Sequence, residues 1–362
     1  MAAAPSGEAP SFRYTNATRP HPSMTHRTAA LVLSSTLCAL ALTTGCRPAS
    51  TEASRQGVAG PVGPPRLRYT LHGPLVPTRM TMVTAWDFPK NPLTDPSLDR
   101  STLSKEIQLG FRIFTNTPAE ASRFVGGGVS CNNCHLNGGQ RERALPLVNV
   151  AGAFPEYNRR AGRLISLNDR IVDCFLRSEN GAGARADTGT VPALDALPTP
   201  TSREVLAVAA YLTWLSKGAP MGVSPSWRGQ NTLPQAAQLP LAQVDRTRGA
   251  TLYAERCVSC HGSDGQGVTV GDKRPGPLWG PGSWNDGAGA ARTYTLAGII
   301  RYAMPYLDPG SLTDAEALQI AAFLTAQPRP AYPYKAQDYT VDPLPSDAVY
   351  YPPRAPRPSP TQ

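Results

Sequence analysis

The chain has 362 residues, 41% apolar and 7% aromatic, with 38 prolines and 32 glycines. That length allows two ordinary domains plus tails, and so much Pro and Gly points to loop-rich domains with long connections rather than one large core. The formal charge is +9, yet no basic run carries interleaved aromatics, so no nucleic-acid binding is expected. The excess of arginine suits a small anionic substrate or an acidic redox partner.

Residues 1–23 are polar and unlike a targeting segment. From Met24 the chain reads Met-Thr-His-Arg-Thr, an apolar run from Ala29 to Leu42, then Thr43-Thr44-Gly45-Cys46. A charged start, a short apolar stretch and a small-residue cleavage site make a signal peptide rather than a membrane span. We therefore expect Met24 to be the true start, with 1–46 a misassigned start plus signal. Gly45-Cys46 resembles a lipoprotein cleavage site, although Thr43 stands where Leu is preferred. An acylated Cys46 would anchor the chain stably; plain cleavage is the alternative. Either places the mature chain outside the cytoplasm, periplasmic or otherwise extracytoplasmic. Residues 47–75, rich in Pro, Gly and Ser, read as a flexible tether.

A first domain is expected over 76–217, with 76–100 an irregular lead-in. From Ser101 to Phe114, apolar residues at Leu103, Ile107, Phe111 and Phe114 follow the helical period. Shortly afterwards comes Cys131-Asn132-Asn133-Cys134-His135, and later Cys257-Val258-Ser259-Cys260-His261. Each is C-x-x-C-H, the attachment signature of c-type haem. Thiols one helical turn apart can add to the two vinyl groups of a porphyrin, and the adjacent His reaches the iron as proximal ligand. A pair of zinc knuckles would need further Cys or His nearby, and there are too few. Two covalently bound haem c groups are expected.

The second motif is also preceded by a helical stretch, Arg248 to Glu255. A glycine near an aromatic upstream of C-x-x-C-H (Gly110-Phe111, Gly249 to Tyr253) looks like the N-terminal helix of a class I cytochrome c, where glycine permits close crossing by a C-terminal helix. Two closing helices are predicted, each opened by a capping box: Thr201 to Glu204 before Val205–Leu212, and Thr313 to Glu316 before Ala317–Leu324. The fold class is mainly α, two class I cytochrome c-like domains in tandem with long loops and extended terminal segments. Residues 218–243 read as a linker, 244–330 as an electron-transfer domain with the second haem, and 331–362 as an extended strap over the surface.

Past the signal only His72, His135 and His261 remain, so bis-histidine ligation of both irons is impossible. For the second haem the candidate sixth ligand is Met304, in Ala303-Met304-Pro305, where proline fixes the backbone; a packing methionine is the alternative. The first domain has no Met in the matching place. It has Cys174, 43 residues after Cys131, close to the 47 that separate Met304 from Cys257. Four of the seven cysteines hold haem, Cys38 leaves with the signal and Cys46 lies at its end, so Cys174 has no partner. It is either a buried structural thiol or a cysteinate ligand that is also the reacting sulfur. Arg159, Arg160, Arg163, Arg170 and Arg177 bracket it, and on a helix Arg170 and Ser178 share its face. Guanidinium groups lower a thiol pKa and bind oxyanions in forked geometry.

With these residues the chain resembles the dihaem thiosulfate dehydrogenases, which form tetrathionate. The resemblance rests on Ser130–Gly139, Tyr157–Arg160, Arg170–Gly181, Ala303–Pro305, Phe323–Pro330 and Asp347–Pro352, and spans about 100–352. It implies His135/Cys174 ligation at the catalytic haem and His261/Met304 at the second. The family's active-site arginines and serine map onto Arg160, Arg170 and Ser178. Where some members carry a lysine just before the distal methionine, this chain has Ala303, so ligand exchange by such a lysine is not expected. The implied reaction couples two thiosulfates at Cys174 and passes electrons to a soluble cytochrome c or similar acceptor. A dihaem carrier without substrate, or the same enzyme run as a tetrathionate reductase, are the alternatives.

Overall fold

The computed structural model describes residues 90–270 and 274–352, within one compact unit. The readings of the start, the signal, Cys46 and the tether lie outside the described residues, as does the tail beyond 352.

The first half contains α1 (Thr102–Thr115), α2 (Thr117–Glu120), α3 (Cys131–Cys134), α4 (Leu136–Gly139), α5 (Leu167–Arg177) and α6 (Arg203–Leu215), with an antiparallel hairpin of β1 (Glu156–Asn158) and β2 (Arg163–Ile165). The second half contains α7 (Arg246–Arg256), α8 (Val258–His261), α9 (Thr293–Ala303) and α10 (Asp314–Thr325). Helix α1 starts where the Ser101 hydroxyl accepts the Ser104 N–H, and it buries Ile107, Ile113 and Phe114. The two long helices of each half cross through glycine. A Cβ on Gly110 would lie 1.9 Å from the Ala207 carbonyl oxygen of α6, and one on Gly249 would lie 2.1 Å from that of Gln319 in α10. The repeated plan is therefore physical: each glycine lets two backbones meet.

Around each crossing sits a core. One joins Phe114, Phe124, Phe175, Val208, Tyr211 and Leu215; the other joins Leu252, Tyr253, Leu296, Leu318, Ile320 and Leu324. Each fully buried Leu or Phe is worth roughly 1.5–3 kcal/mol. The connecting segment 218–243 contributes to both, with Trp227 in the first core and Leu233 in the second.

Two details differ from the sequence expectation. Thr313 and Glu316 form the reciprocal box that opens α10, but α6 begins at Ser202 with no side-chain cap. There the Ser202 hydroxyl accepts the upstream Thr199 N–H (2.9 Å), and Glu204 turns outward to Arg123 (2.9 and 2.7 Å). A long-range ion pair has displaced the local box. The C-terminal strap also does more than lie on the surface. Its Tyr332, Asp338, Tyr339, Asp347 and Tyr351 are buried, so it forms part of the interior.

Candidate active site

The first C-x-x-C-H sits on α3, fixed from behind by α2. Thr117 Oγ1 accepts the Cys131 N–H (3.2 Å), and the Thr117 N–H donates to the Ser130 hydroxyl (3.2 Å). Cys131, Cys134, Cys257 and Cys260 are all free thiols and half-buried. The His135 ring Nδ1 lies 2.6 Å from the Leu145 carbonyl oxygen, which makes Nδ1 the donor and leaves Nε2 for a metal. Burial, opposed by that hydrogen bond and aided by the Arg170 charge, pushes the imidazole pKa down to about 4. Burial does the same to His261, also to about 4. Both rings are thus neutral, as iron ligation requires. Paired thiols without disulfide partners, next to neutral, half-buried imidazoles, fit covalently attached haem in both halves.

Met304 caps α9, its N–H bonded to Ile300 O (3.1 Å). It packs against the second core and also against a small patch made by Leu136, Ala144 and Ala303. The residue after His135 and the proposed distal methionine of the other half therefore share one apolar seam.

Cys174 lies on the third turn of α5, opened by the Ser166–Asp169 capping box. A thiolate at Cys174 would raise the pKa of both Cys131 and Cys134, so the residue stands within electrostatic reach of the first attachment site. Burial pushes its thiol up to about 11 against the pull of Arg170 and Arg160, so the arginines do not lower the free thiol as their sequence proximity suggests. Ser178, one turn on, ends the helix with its N–H bonded to Cys174 O (2.7 Å). Arg170 lies one turn before Cys174. Arg160 arrives from the β1–β2 turn, 13% exposed, with its Nε buried and unpartnered.

Of the five arginines near Cys174, three have other work. Arg163 pairs with Asp169 (3.5 Å), Arg159 with Asp342 (3.5 Å), and Arg177 is buried between Asp173 and Asp338. Asp173, which pattern reading passed over, lies 3.8 Å from Arg160, 3.7 Å from Arg170 and 2.8 Å from Arg177. Despite burial, these cations hold its carboxyl below the usual range. Its signal in the sequence is a single acid beside the odd cysteine inside a run of arginines. Glu179 was also missed. It is 1% exposed, and burial pushes it up to about 8, against a hydrogen bond from the Cys131 thiol.

Arg160 and Arg170 open on a cavity of about 440 Å³ that Arg159, Arg228, Arg292 and the strap residue Tyr339 also line. Arg228 is held by Glu156 and Arg292 by Asp347. Cys174 itself lines neither this cavity nor a smaller one of about 220 Å³ between Arg160 and Asp338. The arrangement is an arginine-lined basin next to a helix that carries a half-buried sulfur within electrostatic reach of the haem-attachment thiols.

Residues 124–221 match the family model described as SoxA/TsdA, cytochrome c domain, and residues 244–324 match that of the cbb3-type cytochrome c oxidase subunit III. A thiosulfate dehydrogenase of Allochromatium vinosum is 40% identical over 242 residues, covering 65% of this chain and 82% of the relative. The chain belongs to the thiosulfate dehydrogenase family. A second member, from Stutzerimonas stutzeri, is 36% identical over 67% of this chain and 73% of its own length. The solved thiosulfate dehydrogenase (TsdBA) from Marichromatium purpuratum superposes with a TM-score of 0.57 at 36% identity, over 66% of this chain. This chain spans about half the length of that one, 49%. The fold is mainly α, with two cytochrome c domains in tandem, and such domains carry covalently bound haem c.

Proposed function

We propose that this enzyme couples two thiosulfates to tetrathionate, with Cys174 as the reacting sulfur and ligand of the first of two haems. The observation that carries the reading is the position of Cys174: half-buried on α5 near the first attachment site, one turn from Arg170, which with Arg160 lines an arginine-rich cavity. A plain electron carrier has no use for such a basin. His135 with Cys174, and His261 with Met304, are the ligand pairs we assign.

Thiosulfate is a dianion, so bringing two together is repulsive, and Arg160 and Arg170 offset that charge. The Cys174 thiolate bonds to the terminal sulfur of the first thiosulfate, giving Cys–S–S–SO3⁻ as two electrons leave. A second thiosulfate attacks the outer sulfur of that adduct. Tetrathionate departs and the Cys174 thiolate is regenerated, with no further electron change. To Ser178, one turn after Cys174 at the helix end, we assign a hydrogen bond to a sulfonate oxygen. The haems, when bound, supply the one-electron acceptors that relay both electrons outward to a soluble acceptor such as a cytochrome c. Export, and an acyl anchor at Cys46, belong to the same proposal.

The test is thiosulfate-dependent ferricyanide reduction by wild type and Cys174→Ala, with haem content measured in both. We expect turnover to vanish while two haems stay attached. Retained turnover would sink the assignment.

A further inference from the structure

Among the described residues, Arg143 meets a single carboxylate, at the edge of ion-pair distance. Its side chain is 10% exposed and its Nη1 is buried without a hydrogen-bond partner. Its nearest carboxylate is Glu142, 3.9 Å from Nε and itself 39% exposed. Burial lowers its pKa, and Arg301 close by adds a second cation. Arg301 is already committed to Asp314 (2.7 Å) and the Gly310 carbonyl (2.8 Å). A mostly buried guanidinium with one nitrogen unpartnered and only a long, half-exposed ion pair is poorly compensated, so such a residue signals a further anion that completes the site.

The surroundings say which anion. Arg143 stands two residues before Leu145, whose carbonyl orients the His135 ring. It takes a left-handed backbone, φ +56°, unusual for a residue with a side chain, and its own carbonyl accepts from Asn231 Nδ2. Next to it, Ala144 is fully buried against Leu136 and Ala303, at the seam where Met304 packs. The guanidinium is thus fixed between the proximal side of the first haem site and the methionine end of α9. It lines neither of the two cavities beside Arg160, so the substrate basin does not reach it. The anions that enter this region with the prosthetic groups are the propionates.

We infer that Arg143 pairs with a haem propionate at the seam between the two halves, neutralising it and favouring the reduced state of that haem. The inference rests on the dihaem reading, and counting attached haems tests that reading separately. Either haem could supply the carboxylate, and the experiment tells them apart.

The experiment is potentiometric titration, without thiosulfate, of the dihaem protein as wild type, Arg143→Gln and Arg143→Lys. The methionine-ligated haem is followed by its methionine–iron charge-transfer band, the other by difference. In Arg143→Gln, one haem should fall in midpoint potential by a tenfold or greater change in its reduced-to-oxidised ratio, about 59 mV for one electron. Arg143→Lys should recover most of the loss. A fall confined to the methionine-ligated haem assigns the propionate to the second half; one confined to the other assigns it to the first. Unchanged potentials in Arg143→Gln overturn the inference. If Arg143→Gln retains fewer than two haems, Arg143→Lys decides: two haems at wild-type potentials support the pairing. Loss of haem there as well makes Arg143 a packing residue and overturns it.

Discussion

Arg177, on the last turn of α5, and Asp338, in the C-terminal strap, face each other through two parallel hydrogen bonds of 2.7 Å, their side chains 7% and 4% exposed. The same guanidinium donates to Asp173 (2.8 Å) and to the Gly287 carbonyl (3.3 Å), and stacks 4.0 Å above the Tyr332 ring. The next strap residue, Tyr339, donates its N–H to the Arg160 carbonyl (2.7 Å). One buried cation therefore ties the helix of Cys174 to the strap, and the strap in turn holds the turn that carries Arg160. Fork geometry suits arginine here, since its planar donors match a carboxylate pair by pair.

Replacing Arg177 by Met should destabilise the folded protein by about 3–5 kcal/mol, because Asp338 stays buried without this cation, while Asp173 loses the nearest of its three. Urea unfolding followed by tryptophan fluorescence measures it, read as a lower midpoint at constant slope. Adding Asp338→Asn removes one stranded charge and should restore part of the loss. A single variant within about 1 kcal/mol of wild type would mean that the strap is held by its apolar contacts instead.

The helix crossings make a second expectation. Ala normally stabilises a helix interior by about 1 kcal/mol over Gly, but at Gly249 the added Cβ meets the Gln319 carbonyl at 2.1 Å. Gly249→Ala should therefore cost about 1–3 kcal/mol through overpacking. Gly289, with nothing within 4 Å of its would-be Cβ, is the control, and Gly289→Ala should stay within about 0.5 kcal/mol. Equal effects at the two positions would refute the close-crossing account.

What pattern reading reached, and what it missed, divides by sequence distance. The helix at Thr102–Thr115 and the Thr313 box depend on residues within a turn or two, and they were legible; the glycine crossings join distant residues and were legible only because each glycine and its aromatic look like those of a class I cytochrome c. The Thr201 box failed because Arg123, 81 residues away, takes Glu204. At the site, the segment from Arg170 to Ser178 stood out because its residues are contiguous. The fate of Arg177 did not, since its partner Asp338 lies 161 residues on. Five neighbouring arginines looked alike in sequence, and only the fold separates Arg159, Arg160 and Arg170, which line the larger cavity, from Arg163 and Arg177, which do not. The Cys174 thiol shows the same limit, for its burial outweighs the nearby guanidinium groups.

The Arg123–Glu204 clip gives a pH dependence. Burial raises the Glu204 pKa, but the Arg123 hydrogen bond and charge outweigh it, so the folded value lies below the ordinary one. A depressed carboxylate contributes stability above its unfolded pKa and loses it as pH falls through the folded value. Arg123→Ala should thus cost about 0.5 kcal/mol near neutrality and progressively less as pH falls below the ordinary glutamate range and through the depressed Glu204 value. Thermal melts of wild type and variant at several pH values test this, and a gap that persists undiminished in acid argues against the clip.

Arg160 and Arg170, both at the cavity, should respond unequally to conservative change. Arg160 is 13% exposed and brings a buried, unpartnered Nε, whereas Arg170 is 45% exposed. A buried donor is poorly screened, and lysine cannot reproduce a fork. Arg160→Lys should therefore lower kcat/KM for thiosulfate ten- to a hundredfold, about 1.4–2.8 kcal/mol of transition-state stabilisation. Arg170→Lys should lose only a few-fold, and added salt should narrow that smaller gap further, since an exposed charge is already partly screened. Steady-state kinetics at low and high ionic strength check both. If Arg160→Lys keeps wild-type kcat/KM, its buried nitrogen serves the turn between β1 and β2, and the charge that gathers thiosulfate comes from elsewhere in the basin.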